Sequence, residues 1–164
     1  MNVGDAVGSV VYFVDGKRVG NSSVGSSINV SSLKAGLHTV FVKLVDDVNY
    51  MDATSATLTV NVAKAMLNIS AIANNITYGQ DLVVSHVLNV GDAVGSVVYF
   101  VDGKRVGNSS VGSSINVSGL KAGLHTVFVK LVDDVNYVDA TSATLTVNVA
   151  KAMLNISAIA NNIT

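Results

Sequence analysis

The chain has 164 residues and a net charge of -1 from 10 basic and 11 acidic side chains, and it is 49% hydrophobic but only 13% charged. That balance excludes a disordered chain and a basic nucleic-acid footprint, and the lack of cysteine excludes a disulfide framework or a thiolate metal site. There are 32 Val, 8 Ile and 10 Thr against no Glu and one Gln, and stiff β-branched side chains suit pleated strands, so the chain reads as all-β.

Residues Asn89–Thr164 repeat Asn2–Thr77 at a constant offset of 87, with 74 of 76 aligned positions identical; the exceptions are Ser32 against Gly119 and Met51 against Val138. A repeat this long is a whole small domain, since solenoid units run to roughly 20–50 residues. The expected organisation is a domain at 1–64 lacking its first two strands, a complete domain at 65–151, and the first strand of a further repeat at 152–164. The longest uncharged run, Ala65–Gln80, is too polar to span a membrane. The opening Met1-Asn2-Val3-Gly4-Asp5 has neither a basic nor an apolar leader region, so any export signal is expected outside this stretch.

Taken in order, the unit starts with a strand at Met66–Ala73, with Leu67, Ile69 and Ala71 on one face. Tyr78-Gly79 turns into a second strand, Asp81–Leu88, with Leu82, Val84, His86 and Leu88 sharing a face. The third strand, Gly95–Val101, ends at Asp102-Gly103, a two-residue hairpin signal repeated at Asp15-Gly16. A polar stretch, Gly107–Ser114, is expected to be a loop. Ile115–Val117 forms a short strand, Leu124–Leu131 a long one, and Ala143–Val149 the last. About seven short strands with turns every 8–12 residues form the pattern of a sandwich of two antiparallel sheets. Val10, Tyr12, Val40, Val42, Leu58 and Val60 are expected inside each sandwich, with their equivalents 87 residues on. The connectors Ala63-Lys64-Ala65 and Ala150-Lys151-Ala152 lack Gly, Pro and Ser, which predicts a short, stiff junction and an extended rod.

Tyr78-Gly79, the Gly95 to Asp102-Gly103 hairpin, Leu120-Lys121-Ala122-Gly123-Leu124-His125-Thr126, and Asn136-Tyr137 followed by Ser142 together resemble the bacterial immunoglobulin-like domain, group 3, found in tandem in prokaryotic adhesin-like surface proteins. The likeness spans both copies. It implies tandem immunoglobulin-like sandwiches on a secreted or cell-wall-anchored chain, commonly a stalk. Asp133-Asp134 departs from it, because relatives more often carry Gly-Asp there.

Candidate sites are sparse. Asn-X-Ser/Thr sequons stand at Asn21, Asn29, Asn68, Asn75, Asn108, Asn116, Asn155 and Asn162. They read either as polar turn filler or as glycosylation sites of an exported glycoprotein. Asn21 and Asn108, in Ser-rich segments expected to be open loops, are the first candidates. Asp46, Asp47, Asn49 and Asp52, with their equivalents from Asp133 to Asp139, read as a solvated acidic turn; the sharper alternative is a Ca²⁺ site, although the spacing fits no EF-hand. Tyr50 and Tyr137 are expected to form tyrosine corners with nearby backbone. His38, His86 and His125 have apolar-face parity and read as satisfied core histidines, with no Cys, Glu or second His in reach for catalysis. Lys43 and Lys130 have outward parity, against an intramolecular Lys–Asn cross-link. Val11, Phe13, Phe41, Val98, Phe100 and Phe128 form an outward apolar patch that could be a subunit contact.

The expected function is a non-catalytic structural repeat of a cell-surface stalk or filament, without cofactors. The expected partners are copies of itself or adjacent repeats, and no nucleic acid or membrane. The alternative is a module binding a cell-surface glycan or host receptor. The counterpart of Tyr78–Val87 occurs once, so the first domain is expected to take its missing strands either from a preceding repeat or from another molecule's spare strand, Met153, Leu154 and Ile156 included, by strand addition.

Overall fold

A computed structural model describes residues 4–164; Met1, Asn2 and Val3, where the first copy begins, lie outside them. The described residues form strands, turns and loops with no helix. The chain divides into two compact units, Met1–Ala65 and Met66–Thr164.

Unit 1 contains β1 (Ser9–Val14), β2 (Lys17–Ser23), β3 (Gly36–Val45), β4 (Ala53–Thr54) and β5 (Leu58–Val62). They make one antiparallel sheet in the order β2-β1-β3-β4, with β5 also paired to β3. The β1–β2 hairpin closes through Asp15 and Gly16 at φ 50° and 75°, the two positive values that a type I′ turn requires. Opposite strands place Val10, Tyr12 and Val14 beside Leu44, Val42 and Val40, and Val40 and His38 beside Leu58 and Val60. Period-two alternation therefore gathers one apolar face.

Unit 2 contains β6 (Ile69–Ala73), β7 (Ile76–Thr77), β8 (Leu82–Leu88), β9 (Ser96–Val101), β10 (Lys104–Ser110), β11 (Ile115–Val117), β12 (Gly123–Val132), β13 (Ala140–Thr141) and β14 (Leu145–Ala150). One sheet runs β10-β9-β12-β14-β7, with β13 on β12; the second runs β11-β8-β6. The pair β14–β7 is parallel. Leu67, Ile69, Ala71, Leu82 and Val84 from the second sheet side close over Val97, Tyr99, Val101, Val127, Val129, Leu131 and Val147 from the first. Unit 2 is thus an immunoglobulin-like β-sandwich with a closed apolar core between its sheets.

Unit 1 departs from the expected two-sheet sandwich. Its described residues hold the equivalents of the larger sheet alone. Val10, Tyr12, Val40 and Val42 are only half-buried, and Leu58 and Val60 are 65% and 43% exposed, whereas Val147, the twin of Val60, is 1% exposed. The side chains keep inward parity, but parity buries nothing without a facing sheet. A smaller correction concerns Gly107–Ser110, expected as loop. It continues β10 by pairing with β9 up to Ser110↔Ser96, past an irregularity between Arg105 and Gly107. Unit 1 does the same in β2.

Of the two substitutions between copies, Ser32/Gly119 has a backbone consequence, and nothing in the structure explains Met51/Val138. Gly119 has φ +73°, and a Cβ added there would meet nothing within 4 Å; Ser32 holds the same left-handed backbone at φ 63°. Left-handed backbone costs an L-residue about 1–2 kcal/mol. Ser32→Gly is expected to stabilise unit 1, and Gly119→Ser to destabilise unit 2, by about 1 kcal/mol each, read from the midpoints of denaturant unfolding.

Candidate functional site

Each hairpin turn is latched by a histidine. Asp102 lies at the end of β9, and His125 lies near the start of β12. His125 Nδ1 donates to Asp102 Oδ2 at 2.7 Å, and Nε2 donates to the Lys121 carbonyl at 2.8 Å. Asp102 Oδ1 also accepts the Thr126 amide at 3.0 Å. Unit 1 repeats the arrangement with His38, Asp15, Lys34 and Thr39. Because both ring nitrogens face acceptors, the imidazolium is favoured. The Asp102 carboxylate, then the Lys121 carbonyl, raise the pKa of His125, and the His125 side chain lowers that of Asp102. Neither ring nitrogen is left to act as a base. Sequence reasoning sought Cys, Glu or His as partner; the partner is the hairpin aspartate 23 residues upstream, which only strand register brings alongside.

A group whose folded pKa is raised stabilises the fold fully below its ordinary value, about 6.5 for histidine, and that contribution disappears as pH rises through the higher folded value. Unit 2 of the native chain is therefore expected to lose more stability between mildly acidic and alkaline pH than a His125→Gln variant, in thermal melts across that range.

His86, on β8, is tuned the other way. The Gly112 amide donates to its Nε2 at 3.0 Å, and Nδ1 lies 2.8 Å from Tyr99 Oη, so the neutral, Nδ1-protonated ring fits. Burial lowers its pKa. Tyr99 Oη in turn donates to the Ser113 carbonyl at 3.0 Å. This is a structural clasp tying β8 and β9 to the loop after β10.

The acidic corner is a backbone organiser. Asp134 is 2% exposed. Its Oδ2 accepts the Val94 and Gly95 amides at 2.7 Å each, and Oδ1 accepts those of Asn136 and Tyr137 at 2.8 and 3.1 Å. Burial pushes its pKa up, but the four amide donors outweigh that and hold the carboxyl below its ordinary range. Asp47 takes the same four contacts in unit 1. Among the described residues no group of three or more His, Asp or Glu side chains is assembled that could hold a metal ion. The tyrosine corners are corrected: Tyr137 Oη donates to the Asp92 carboxylate at 2.6 Å, and Tyr50 Oη to Asp5, so side-chain acceptors replace backbone. Ser142, buried on the same side, exchanges bonds with Val129 through its amide and its hydroxyl.

On the outer face of the larger sheet, Phe100 and Phe128 stack at 4.6 Å with ring planes 3° apart. Lys130 Nζ sits 5.4 Å from the Phe100 centroid. Phe13, Phe41 and Lys43 repeat the stack, and Val11 and Val98 lie half-buried beside these pairs. The patch is thus partly covered by its own lysine. Both lysines point outward, away from the core.

All eight sequon asparagines are exposed. Asn21 and Asn108 sit in β2 and β10, not in loops, with each Oδ1 accepting from Arg18 or Arg105. Asn116 lies in β11, and Asn75 Oδ1 accepts the Asn148 amide at 2.8 Å. Two small cavities open on unit 2. One of about 250 Å³ is lined by Met66, Leu67, Val138, Asp139, Ala140 and Thr141; the other, about 290 Å³, by Tyr78, Ala122, Lys151 and Ala152. Neither gathers converging catalytic groups. Met153, Leu154 and Ile156 are almost fully exposed, and residues 151–164 form no strand.

No family model matches this chain, and no curated protein matches it. Among solved structures, the chain is similar to that of the fibronectin(III)-like modules of Clostridium thermocellum CbhA. The match has 16% identity and a TM-score of 0.43, over 98% of this chain and 87% of that one.

Proposed function

We propose that the chain is a non-catalytic structural repeat of a prokaryotic cell-surface, adhesin-like stalk or extracellular filament, with its immunoglobulin-like units in tandem as an extended rod. The observation that carries this reading is the duplication, in which 74 of 76 positions are identical, every strand is unchanged, and the two differences fall in loops. Two units so alike add length; they do not divide a reaction between them. The chemistry agrees with this. The turn histidines have both nitrogens occupied, and the buried carboxylate of Asp134 is consumed by backbone amides. The junction lacks Gly, Pro and Ser, which favours a stiff connection. Eight exposed sequons suit a glycoprotein outside the cell.

The alternative, a module that binds a glycan or a host receptor, finds less support. The phenyl rings stand parallel to one another like cards beneath a lysine, whereas a sugar-stacking platform offers open ring faces. A glycan array decides between the two: no specific binding is expected, and loop-dependent binding of one sugar would replace the stalk reading. Intact mass of protein from its native source tests the modification. A mass above that of the bare polypeptide is expected, and the bare mass would remove glycosylation from the reading.

A further inference from the structure

The two hairpin turns are the residue pairs of this chain most open to self-attack, and we infer that the histidine latch keeps them from isomerising to isoaspartate. A type I′ turn needs two positive φ values, which Asp-Gly and Asn-Gly accept best. In the same pairs backbone can attack side chain, because glycine has no side chain to shield its nitrogen. Of the 11 Asp only Asp15 and Asp102 precede Gly, and no Asn does. In the reaction the Gly103 nitrogen bonds to Asp102 Cγ. One carboxylate oxygen leaves as water, taking the N–H proton and one proton from solvent. Water then opens the cyclic imide at either carbonyl. One opening restores aspartate; the other routes the main chain through the β-carbon. The isoaspartyl product has an extra main-chain carbon, which a two-residue turn cannot absorb while Lys104 stays paired with Val101.

Burial does not protect these turns. The Asp102 side chain is 49% exposed, and a Cβ on Gly103 would meet nothing within 4 Å, so water and room for the reaction are both at hand. What restrains Asp102 is the way its carboxyl group is held. The Asp102 amide donates to the Thr126 carbonyl at 2.9 Å, and the Thr126 amide donates back to Oδ1 at 3.0 Å. The side chain thus extends the β9–β12 ladder by one step. His125 Nδ1 donates to Oδ2 at 2.7 Å, and the ring is itself fixed by Nε2 on the Lys121 carbonyl. Both oxygens therefore bond to β12, while the attacking nitrogen belongs to the turn. Donors approach a carboxylate near its plane, so two of them fix both the plane and the rotamer. Attack needs Cγ turned face-on to the Gly103 nitrogen, and the departing oxygen must first give up its donor. Asp15 is held in the same way by Thr39 and by His38, itself fixed on the Lys34 carbonyl. The latch accompanies each Asp-Gly.

The test is ageing of the full chain at physiological temperature and neutral pH. Isoaspartate is read by mass spectrometry of tryptic peptides and by their resistance to an aspartate-directed protease. The peptides ending at Lys17 and Lys104 differ in length, so both hairpins are read in one sample. The native chain is expected to isomerise at both sites more slowly than a synthetic peptide of residues 98–107. His125→Phe removes the donor and is expected to isomerise at Asp102 about tenfold faster, the factor by which losing one charge-assisted hydrogen bond frees the side chain. Asp15 in the same molecules is expected to stay at its native rate. His125→Asn, which keeps a donor where Nδ1 stood, is expected to remain near the native rate. His38→Phe repeats the comparison with the two hairpins exchanged. Amide exchange at Val101 and Lys104 separates the latch from general loosening, and is expected to be unchanged in the Phe variants. Native rates equal to the peptide's, an Asp102 rate that His125→Phe leaves unmoved, or a rise that only follows opening of the Val101–Lys104 pair overturns the inference. Each of these failures leaves the structural-repeat reading standing, because the glycan array decides that one.

Discussion

Tyr99→Ala is expected to cost unit 2 about 3–5 kcal/mol, the range for truncating a buried aromatic, while Tyr12→Ala costs unit 1 only a fraction of that. The two tyrosines are equivalent positions of the repeat and share the same flanking sequence. Tyr99 is fully buried and bonded to His86, Ser109 and the Ser113 carbonyl. Tyr12 keeps the serine and carbonyl contacts, but its ring stays half-exposed and no histidine reaches it. Removing a side chain leaves a cavity only where something covers it. Amide exchange resolved by residue, comparing Leu131 with Leu44 under denaturant, separates the two units. Equal losses would mean that unit 1 has a core as closed as that of unit 2.

Asp134→Asn is expected to destabilise unit 2 by about 3 kcal/mol, since hydrogen bonds to charged groups are worth about 1.5–3 kcal/mol each and a buried donor left unpaired costs more. The amide that replaces one carboxylate oxygen points donors at donors. The site has no slack, because a Cβ on Gly95 would sit 2.5 Å from the Val132 carbonyl oxygen and 3.1 Å from Asp134 Cβ. The same carboxylate makes the native unit acid-sensitive. A group whose folded pKa is lowered contributes stability above its ordinary value, 3.8 here, and loses it as pH falls through the lower folded value. Below about pH 4 the gap between native and Asp134→Asn melting temperatures is therefore expected to narrow. A gap that persists unchanged at low pH would assign the effect to packing and not to charge. Asp47→Asn, with the same four contacts on a more exposed group, is expected to do less.

Much of the fold was legible in the residues themselves. Alternation of Val, Tyr and Phe marked the strands equivalent to β9 and β12, because a period of two sends successive side chains to opposite faces whatever lies beyond. Asp-Gly marked both hairpins, because few residue pairs accept two positive φ values. Local chemistry was enough for these. The site was less legible. The His125–Asp102 latch, the Tyr137–Asp92 bond and the extension of β10 through Ser110 depend on which strands lie side by side, and spacing along the chain does not state that.

The duplication separates the two kinds of information. Ile28-Asn29-Val30 and Ile115-Asn116-Val117 are the same three residues, yet only the second forms a strand, because β8 stands beside it to take its hydrogen bonds. Ile156–Ala160 and Ile69–Ala73 are likewise identical, yet only the second is β6, paired to β8 and buried against the larger sheet. By itself the sequence determined which residues can be strands, which face of each is apolar and where the chain turns. Tertiary structure alone decided which of those strands exist and which apolar faces are buried, because an isolated strand leaves its backbone donors and its side chains to water until a partner is in place.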